Sequence, residues 1–471
     1  MRQGALWLAA LAVVPALAGT TGALWWLQAQ GVTPRLLGPW IGKRSEGHNP
    51  VITHTGSTLR AALLALDRGE PQPYVLPKLA VGAQPQPVRG EGGTVRTVAS
   101  SDEARAAISN ARAGDIITFA PGAYRFKGAA LAARAAGTDA VPVIVRAQQP
   151  GTVTLEFDMG EGVAVSGPHW RFENLAIRGV CARHAQCEHA FHVTGRAHHF
   201  AALNNRITDF NAHFKVNGVN GAFPDHGLIE GNTISNASVR DTGSPVTPID
   251  IVAATGWTIR GNLITDFVKG GGDRISYGAF AKGAGARTTF ERNVVICEQL
   301  LRGQPGARVG LSLGGGGTGK RFCRDGRCVT EHEEGVIRDN LIASCSDAGI
   351  YANSAARTLV SHNTLLDTAG IDLRFPETSA QVEGNLVDGP IRSRNGARLR
   401  LTENEETPVA LLYAGYHPVR RMFADAGAFD LAWRTQPPRR ERKAGSPDLC
   451  AAIRPAQARY GAFEDFTACL R

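Results

Sequence analysis

Methionine and tyrosine are scarce in this 471-residue chain, with 3 and 7 copies, and no Cys-x-x-Cys pair occurs. The missing pair argues against a structural zinc site. Zinc-finger, homeodomain and RNP-like spacings are missing too, so the net charge of +9 does not point to nucleic acid. An anionic membrane or an acidic polymer fits that charge better. Charged residues make up only 20% and hydrophobic residues 43%. That is too little charge for a disordered chain and enough apolar matter for a core. Between Arg2 and Arg35 there is no charge at all.

That uncharged run contains an apolar stretch, Ala5 to Val14, followed by Ala16-Leu17-Ala18. This is the pattern of a signal peptide with its cleavage site. Gly4 to Leu27 is also long enough to span a bilayer as an uncleaved anchor. Either reading puts the chain outside the cytoplasm, in the periplasm or secreted. The even count of eight cysteines then suits disulfides. Local pairing predicts Cys181–Cys187, Cys323–Cys328 and Cys450–Cys469, leaving Cys297–Cys345. Eight cysteines allow about 105 pairings, so this set is an expectation.

What the chain has in excess is glycine, 55 residues or about 12% against an ordinary ~7%. Each glycine costs a helix roughly 1 kcal/mol, so a helical bundle is excluded and an all-β chain with frequent turns is favoured. Residues 1–30 read as the signal or anchor, and 31–93 as a Pro-rich tether with one short helix, Ser57 to Arg68. Ser100-Ser101-Asp102-Glu103 is a capping box opening a helix to about Ala113, placed to plug the open end of the region beyond it.

From 94 to 400 the sequence repeats. A hydrophobic residue, two mostly polar or glycine residues and an asparagine precede an aliphatic stretch. The copies are IEGN (Asn232), IRGN (Asn262), FERN (Asn293), IRDN (Asn340), VSHN (Asn363) and VEGN (Asn385), with weaker ones at Asn174 and Asn205. Their spacings are 31, 27, 30, 31, 47, 23 and 22 residues. Periods of this size mean solenoids or propellers. With short alternating strands and no amphipathic helix per repeat, the fold is predicted as all-β, a single-stranded right-handed parallel β-helix with an N-terminal capping helix. The asparagines would form a ladder at a turn. The 47-residue gap holds an insertion, Gly303 to Thr330, whose four glycines 314–317 make a loop over a groove rather than a phosphate loop. Residues 401–471 would close the other end.

Period-2 alternation selects the side chains that leave the core. They are His192, Lys215 with Asn217, Asp250, Phe280 with Lys282, Ser312, Tyr351 with Asn353, and Asp372 with Arg374. Stacked coils would align them ~5 Å apart in one strip, within reach of a single sugar chain. A solvated charged face is the plainer account of any one of them. Together they fit proton abstraction beside the carboxylate of a uronic acid. That reaction needs a cation on the carboxylate, a base, and an acid for the leaving oxygen. A lysine among other cations serves as a base. Lys282 near Lys215 fits the base, Lys215 or His192 the neutraliser, and Tyr351 the proton donor. Asn217, Asp250, Ser312, Asn353, Asp372 and Arg374 would hold the acidic polysaccharide.

Val95 to Gly179 resembles the opening of the β-helix polysaccharide lyases that include chondroitinase B and many alginate lyases. The resemblance rests on Ala113-Gly114-Asp115-Ile116-Ile117, Pro121-Gly122-Ala123-Tyr124, Gly137-Thr138, the stretch Val141 to Ala147, Pro150-Gly151 and Phe172-Glu173-Asn174-Leu175. Ser446-Pro447-Asp448 resembles the family's closing segment. The resemblance implies a catalytic lysine at Lys282, within Phe280-Ala281-Lys282-Gly283. The family's arginine has no counterpart, because its strand reads Leu311-Ser312-Leu313-Gly314; Arg302, Arg308 or Arg321 would have to substitute. The family's calcium glutamates are replaced by Ile275 and Tyr277, so no metal or cofactor is expected, Asp250 and Asp273 being the weaker alternative. Two other functions stay open: a non-catalytic carbohydrate-binding or envelope scaffold protein, and a glycoside hydrolase using Asp250 with Asp273 or Asp225. The chain is expected to act as a monomer.

Overall fold

The computed structural model describes residues 22–23, 25–69, 73–85, 92–315, 317–441 and 445–471. The predicted signal or anchor therefore lies almost wholly outside the described residues. No described helix is long and apolar enough to cross a membrane.

Three long parallel sheets of 12, 11 and 10 strands run the length of the molecule. Each coil contributes one short strand to each sheet in turn. Thr258–Arg260, Leu263–Thr265 and Ile275–Lys282 form one such coil. This is a right-handed parallel β-helix, the hand that strand twist imposes on parallel crossovers. Strands such as Thr233–Ser235 and Thr258–Arg260 bury only their middle isoleucine, which is the alternation that predicted them. The buried residues stack coil on coil. Phe191 lies flat on Phe214 with ring centroids 5.3 Å apart.

The asparagine ladder explains the repeat. From Asn205 through Asn232, Asn262, Asn293, Asn340, Asn363 and Asn385 to Asn404, each side-chain amide donates to the next Oδ1 at 2.8–3.0 Å. Each backbone N–H donates to that same oxygen. The residue before each asparagine has positive φ, Gly231 and Gly261 at 64° and Arg292 at 55° for example. The glycine so often preceding the asparagine is there because the bend needs a left-handed residue. Asn174 is one residue off the ladder. It accepts from Asn204, and Leu175 takes the ladder position. Asn404 is a rung that the sequence motif does not mark.

The capping helix, α3, spans Ser101–Ser109 and ends short of Ala113. Ser100 accepts from the Glu103 N–H and Glu103 from the Ala99 N–H, closing the capping box. Ala104, Ala107 and Ile108 seal the first coil. Between 31 and 93 there are two helices where the sequence pointed to one: α1, Pro34–Ser45, and α2, Pro50–Arg68. Pro50 at the start of α2 and Asn49 capping Ile52 carry that helix upstream of Ser57. Both dock on one corner of the solenoid through buried ion pairs. Arg35 binds Asp67 and Asp367, Arg68 binds Glu298 and Asp367, and Arg302 joins Asp367 at 2.7 Å. The C-terminal segment folds back along the 11-stranded sheet, where Val419, Phe423, Phe463 and Phe466 cover Val294, Leu341 and Leu386. All four expected disulfides are present. They fit an oxidising compartment.

Candidate functional site

The outer face of the 10-stranded sheet carries two columns. One runs His192, Lys215, Asp250, Phe280, Ser312, Tyr351, Asp372, Arg392. The other, two residues further along each strand, includes Asn217, Lys282, Gly314, Asn353, Arg374 and Arg394. All eleven outward residues singled out in the sequence lie in these columns.

Most of them are engaged with one another. Lys215 Nζ donates to Asp250 at 2.7 Å, and Asp250 is buried. His192 lies between Glu161 at 2.8 Å and Asn217 at 2.9 Å. Burial alone would lower the His192 pKa, but those two partners outweigh it and the net shift is upward. Asp372 is buried under Arg392 and Arg394, the latter at 2.7 Å. Ser312 is fully buried and donates to the Gly314 carbonyl. Asn353 is buried and donates to the Tyr351 hydroxyl at 2.9 Å. Asp250, Ser312, Asn353 and Asp372, expected to face a polymer, are therefore covered. Neighbouring groups satisfy Ser312, Asn353 and Asp372, while Asp250 keeps its second carboxylate oxygen buried and unbonded.

Two cations differ. Among the described residues no carboxylate pairs with Lys282 or Arg374, and both are half-buried. Lys282 Nζ sits 4.4 Å from the centre of the Phe280 ring. The insertion folds back over this point. Glu331 accepts from the Gly283 N–H at 3.1 Å and binds Thr318, and the Arg324 N–H donates to the Gly283 carbonyl at 2.9 Å. Cys323–Cys328 closes the loop. The glycines have a use here: Gly314 has φ 68°, and a Cβ on it would meet the Asn353 carbonyl at 1.9 Å. A Cβ on Gly315 would press on Lys282 Cδ at 3.0 Å. The wall beside Lys282 is apolar, with Val252, Phe280, Phe223 and Tyr277 clustered. Burial and the nearby Tyr351, Asp347 and Asp273 push the Tyr277 hydroxyl up to about 12.

Several expectations change. Lys215 is two coils from Lys282, ~10 Å by strand spacing, and is turned to Asp250. Arg302 and Arg308 do not stand in for the missing arginine. Both are held at the helix-bearing corner, by Asp367 and by buried Glu298. Arg321 lies over Phe322 on the insertion. A cation the sequence did not single out is tied to the residue after Lys282 through the Arg324 N–H and the Gly283 carbonyl. Arg324 stacks 4.4 Å over Phe223 and holds Asp225 through two bonds, at 2.7 and 2.9 Å. Only its place next to Cys323 hinted that it would be pinned. Asp273 pairs with Lys269 at the start of the strand that ends at Lys282. It is roughly 20 Å from Asp250 by strand rise, beyond the ~5–9.5 Å a carboxylate pair needs for glycoside hydrolysis. Ile275 and Tyr277 offer no carboxylate at the positions the resemblance assigns to calcium. A cleft of about 550 Å³ lies elsewhere, lined by Arg68, Tyr74, Arg302, Asp367 and Arg420.

Residues 98–249 match the family model of chondroitinase B. The resemblance read in the opening coils therefore stands. Among solved structures, the pectate lyase Pel9A matches with TM-score 0.52 and 13% identity over 82% of this chain and 98% of that one. At that identity the likeness shows the fold alone. A PL6 family polysaccharide lyase from Pseudopedobacter saltans (TM-score 0.36, 13% identity, 71% of this chain and 98% of that one) is more distant. So is an alginate lyase from Paenibacillus (0.38, 13%, 67% and 96%). No curated protein sequence matches the chain.

Proposed function

We propose that the protein is an exported lyase that cleaves an acidic polysaccharide by β-elimination at a uronic acid, with Lys282 as the base. The amine takes the proton from the carbon bearing the carboxylate. The electron pair forms the new carbon–carbon double bond, and the glycosidic oxygen leaves with a proton. Tyr351 is the hydroxyl on the same face to supply it, oriented by Asn353. Arg374, which has no carboxylate partner among the described residues, is the cation assigned to the polymer's carboxylates. The single supporting observation is Lys282 itself: a half-buried lysine nitrogen without a carboxylate partner, on a face whose other lysine is paired. The chondroitinase B match supports the reaction class, although it ends at residue 249, before Lys282.

The test is incubation with alginate, a chondroitin-type polymer and a bacterial uronan, following the ultraviolet absorbance of unsaturated ends. Turnover of one of them is expected, falling at least 100-fold in Lys282→Ala, the range in which a general base acts. Full turnover in that variant would remove Lys282 from the role. A second reading, a carbohydrate-binding or scaffold protein, is favoured by Ser312-Leu313-Gly314 standing where the lyases carry arginine. Binding of a polymer without product would select it.

A further inference from the structure

Three histidines meet at the corner where chain leaves the 10-stranded sheet for the 12-stranded one. His169 lies on one coil and the adjacent pair His198–His199 on the next. One ring nitrogen from each falls within 4.8 Å of the others. The Nδ1 atoms of His198 and His199 are 2.8 Å apart, and the His169 and His199 rings stack at 4.6 Å and 1°. His226 continues the stack one coil further, its ring 5.2 Å from that of His199.

A stack of imidazoles is a poor place for protons. The short Nδ1–Nδ1 contact holds one proton at most, since one ring must donate and the other accept. Imidazole nitrogens converging on one point are the donor set of a borderline metal ion. The backbone holds them there at some cost: His169, His199 and His226 all have positive φ, 56°, 58° and 61°, where the next coil uses Gly256.

We propose that His169, His198 and His199 form a binding site for a divalent transition-metal ion of the zinc class. The ion would take the place of the proton between His198 and His199 and clamp two consecutive coils at the rim of the face that carries Lys282. Calcium and magnesium, which require oxygen donors, would not compete. The site is independent of the lyase reading, since it shares no residue with it. Sequence spacing hides it, because 29 residues separate His169 from His198.

The experiment is isothermal titration of tag-free, full-length protein with Zn²⁺ and with Co²⁺. The visible bands of Co²⁺ report nitrogen ligation. One ion per chain is expected, with no heat from Ca²⁺ or Mg²⁺. His198→Ala and His199→Asn should each weaken binding at least tenfold. Asparagine is chosen at 199 because it tolerates positive φ, so the coil is kept, and thermal melting verifies both folds. His54→Ala, on exposed α2, should bind as the parent does. No stoichiometric uptake, or uptake of undiminished affinity in both cluster variants, would overturn the site.

Discussion

The 12-stranded and 10-stranded sheets both turn a charged face outward, and they treat charge differently. Along the 12-stranded sheet acid and base meet from coil to coil: Arg146 with Glu173, then Arg260 with Glu230, then Arg338 with Glu291. Each of these charges has a counter-charge one coil away. The 10-stranded sheet begins the same way, with His192–Glu161 and Lys215–Asp250. It then breaks the rule. Lys282 comes next, level with Val252 and Gly314, and further on Arg374 meets Asn395 instead of an acid. A solenoid can neutralise its own surface, so a strip that does not is where a charged polymer has something to gain.

The largest expected effect separates the two faces by activity. Lys282→Ala should lower turnover of the responsive polymer by about 10²–10⁴-fold, with the melting temperature unchanged, as absorbance assays and calorimetry would record. Loss of folding in place of activity would make Lys282 a packing residue and erase the distinction.

The helix-bearing corner provides the opposite case, charges that are buried and closed. Burial would raise the Asp367 carboxyl, but Arg68, Arg302, Arg35 and Arg420 outweigh it and hold it well below the usual carboxylate range. Removing one partner leaves a buried charge uncompensated. Arg35→Ala should therefore cost about 3–5 kcal/mol of stability, read by denaturant unfolding, and should not touch the chemistry on the sheet face except through unfolding. A loss below about 1 kcal/mol would place this corner with ordinary surface pairs.

The inner side of the same molecule should respond to acid. His213 and His332 are fully buried, and burial brings both to about 3. Neutral in the fold, they charge on unfolding. Their contribution is complete above pH ~6.5 and falls as pH drops from there toward 3, by about 1.4 kcal/mol per pH unit for each. Stability measured from pH 7 to 5 should show that slope. His332 has no hydrogen-bond partner for either ring nitrogen among the described residues, so His332→Leu should remove its share. An unchanged slope in that variant would assign the acid sensitivity elsewhere. His192, shifted upward, acts in the other direction, its contribution being lost as pH rises through its folded pKa.

How much of this was legible depended on whether the information was periodic. The coil repeat, the ladder from Asn232 to Asn385 and the outward columns all come from a fixed bend and a period of two, and the structure carries each. The register at Asn174 did not, because Asn204-Asn205 offers two asparagines and only the second is a rung. The disulfides could be read from nearness in sequence. Partners could not. Nothing in the sequence of Ser312 or Asp372 announces that neighbours already satisfy them, and nothing links Arg35 to Asp367 across 332 residues. Arg324 was hidden for the same reason, since its neighbours Phe223 and Asp225, Ala253 and Thr255, and Gly283 come from three different coils.

The smallest expected effect is the most direct check of the comparison. Arg338 is 42% exposed and pairs with Glu291 on the self-neutralising face. An exposed pair contributes about 0–1 kcal/mol. Arg338→Ala should therefore shift stability by less than about 1 kcal/mol and leave polymer turnover within about twofold, since Glu291 keeps Arg292 as a further, more distant cation. Arg374→Ala, the same change of charge on the other face, should raise KM several-fold without altering stability. Arg374 is bonded to Asn395 and stacked on Phe375, with no acid to leave behind. If the two variants behaved alike in KM, the polymer would be reading net positive charge, and the break in pairing along the 10-stranded sheet would carry no recognition.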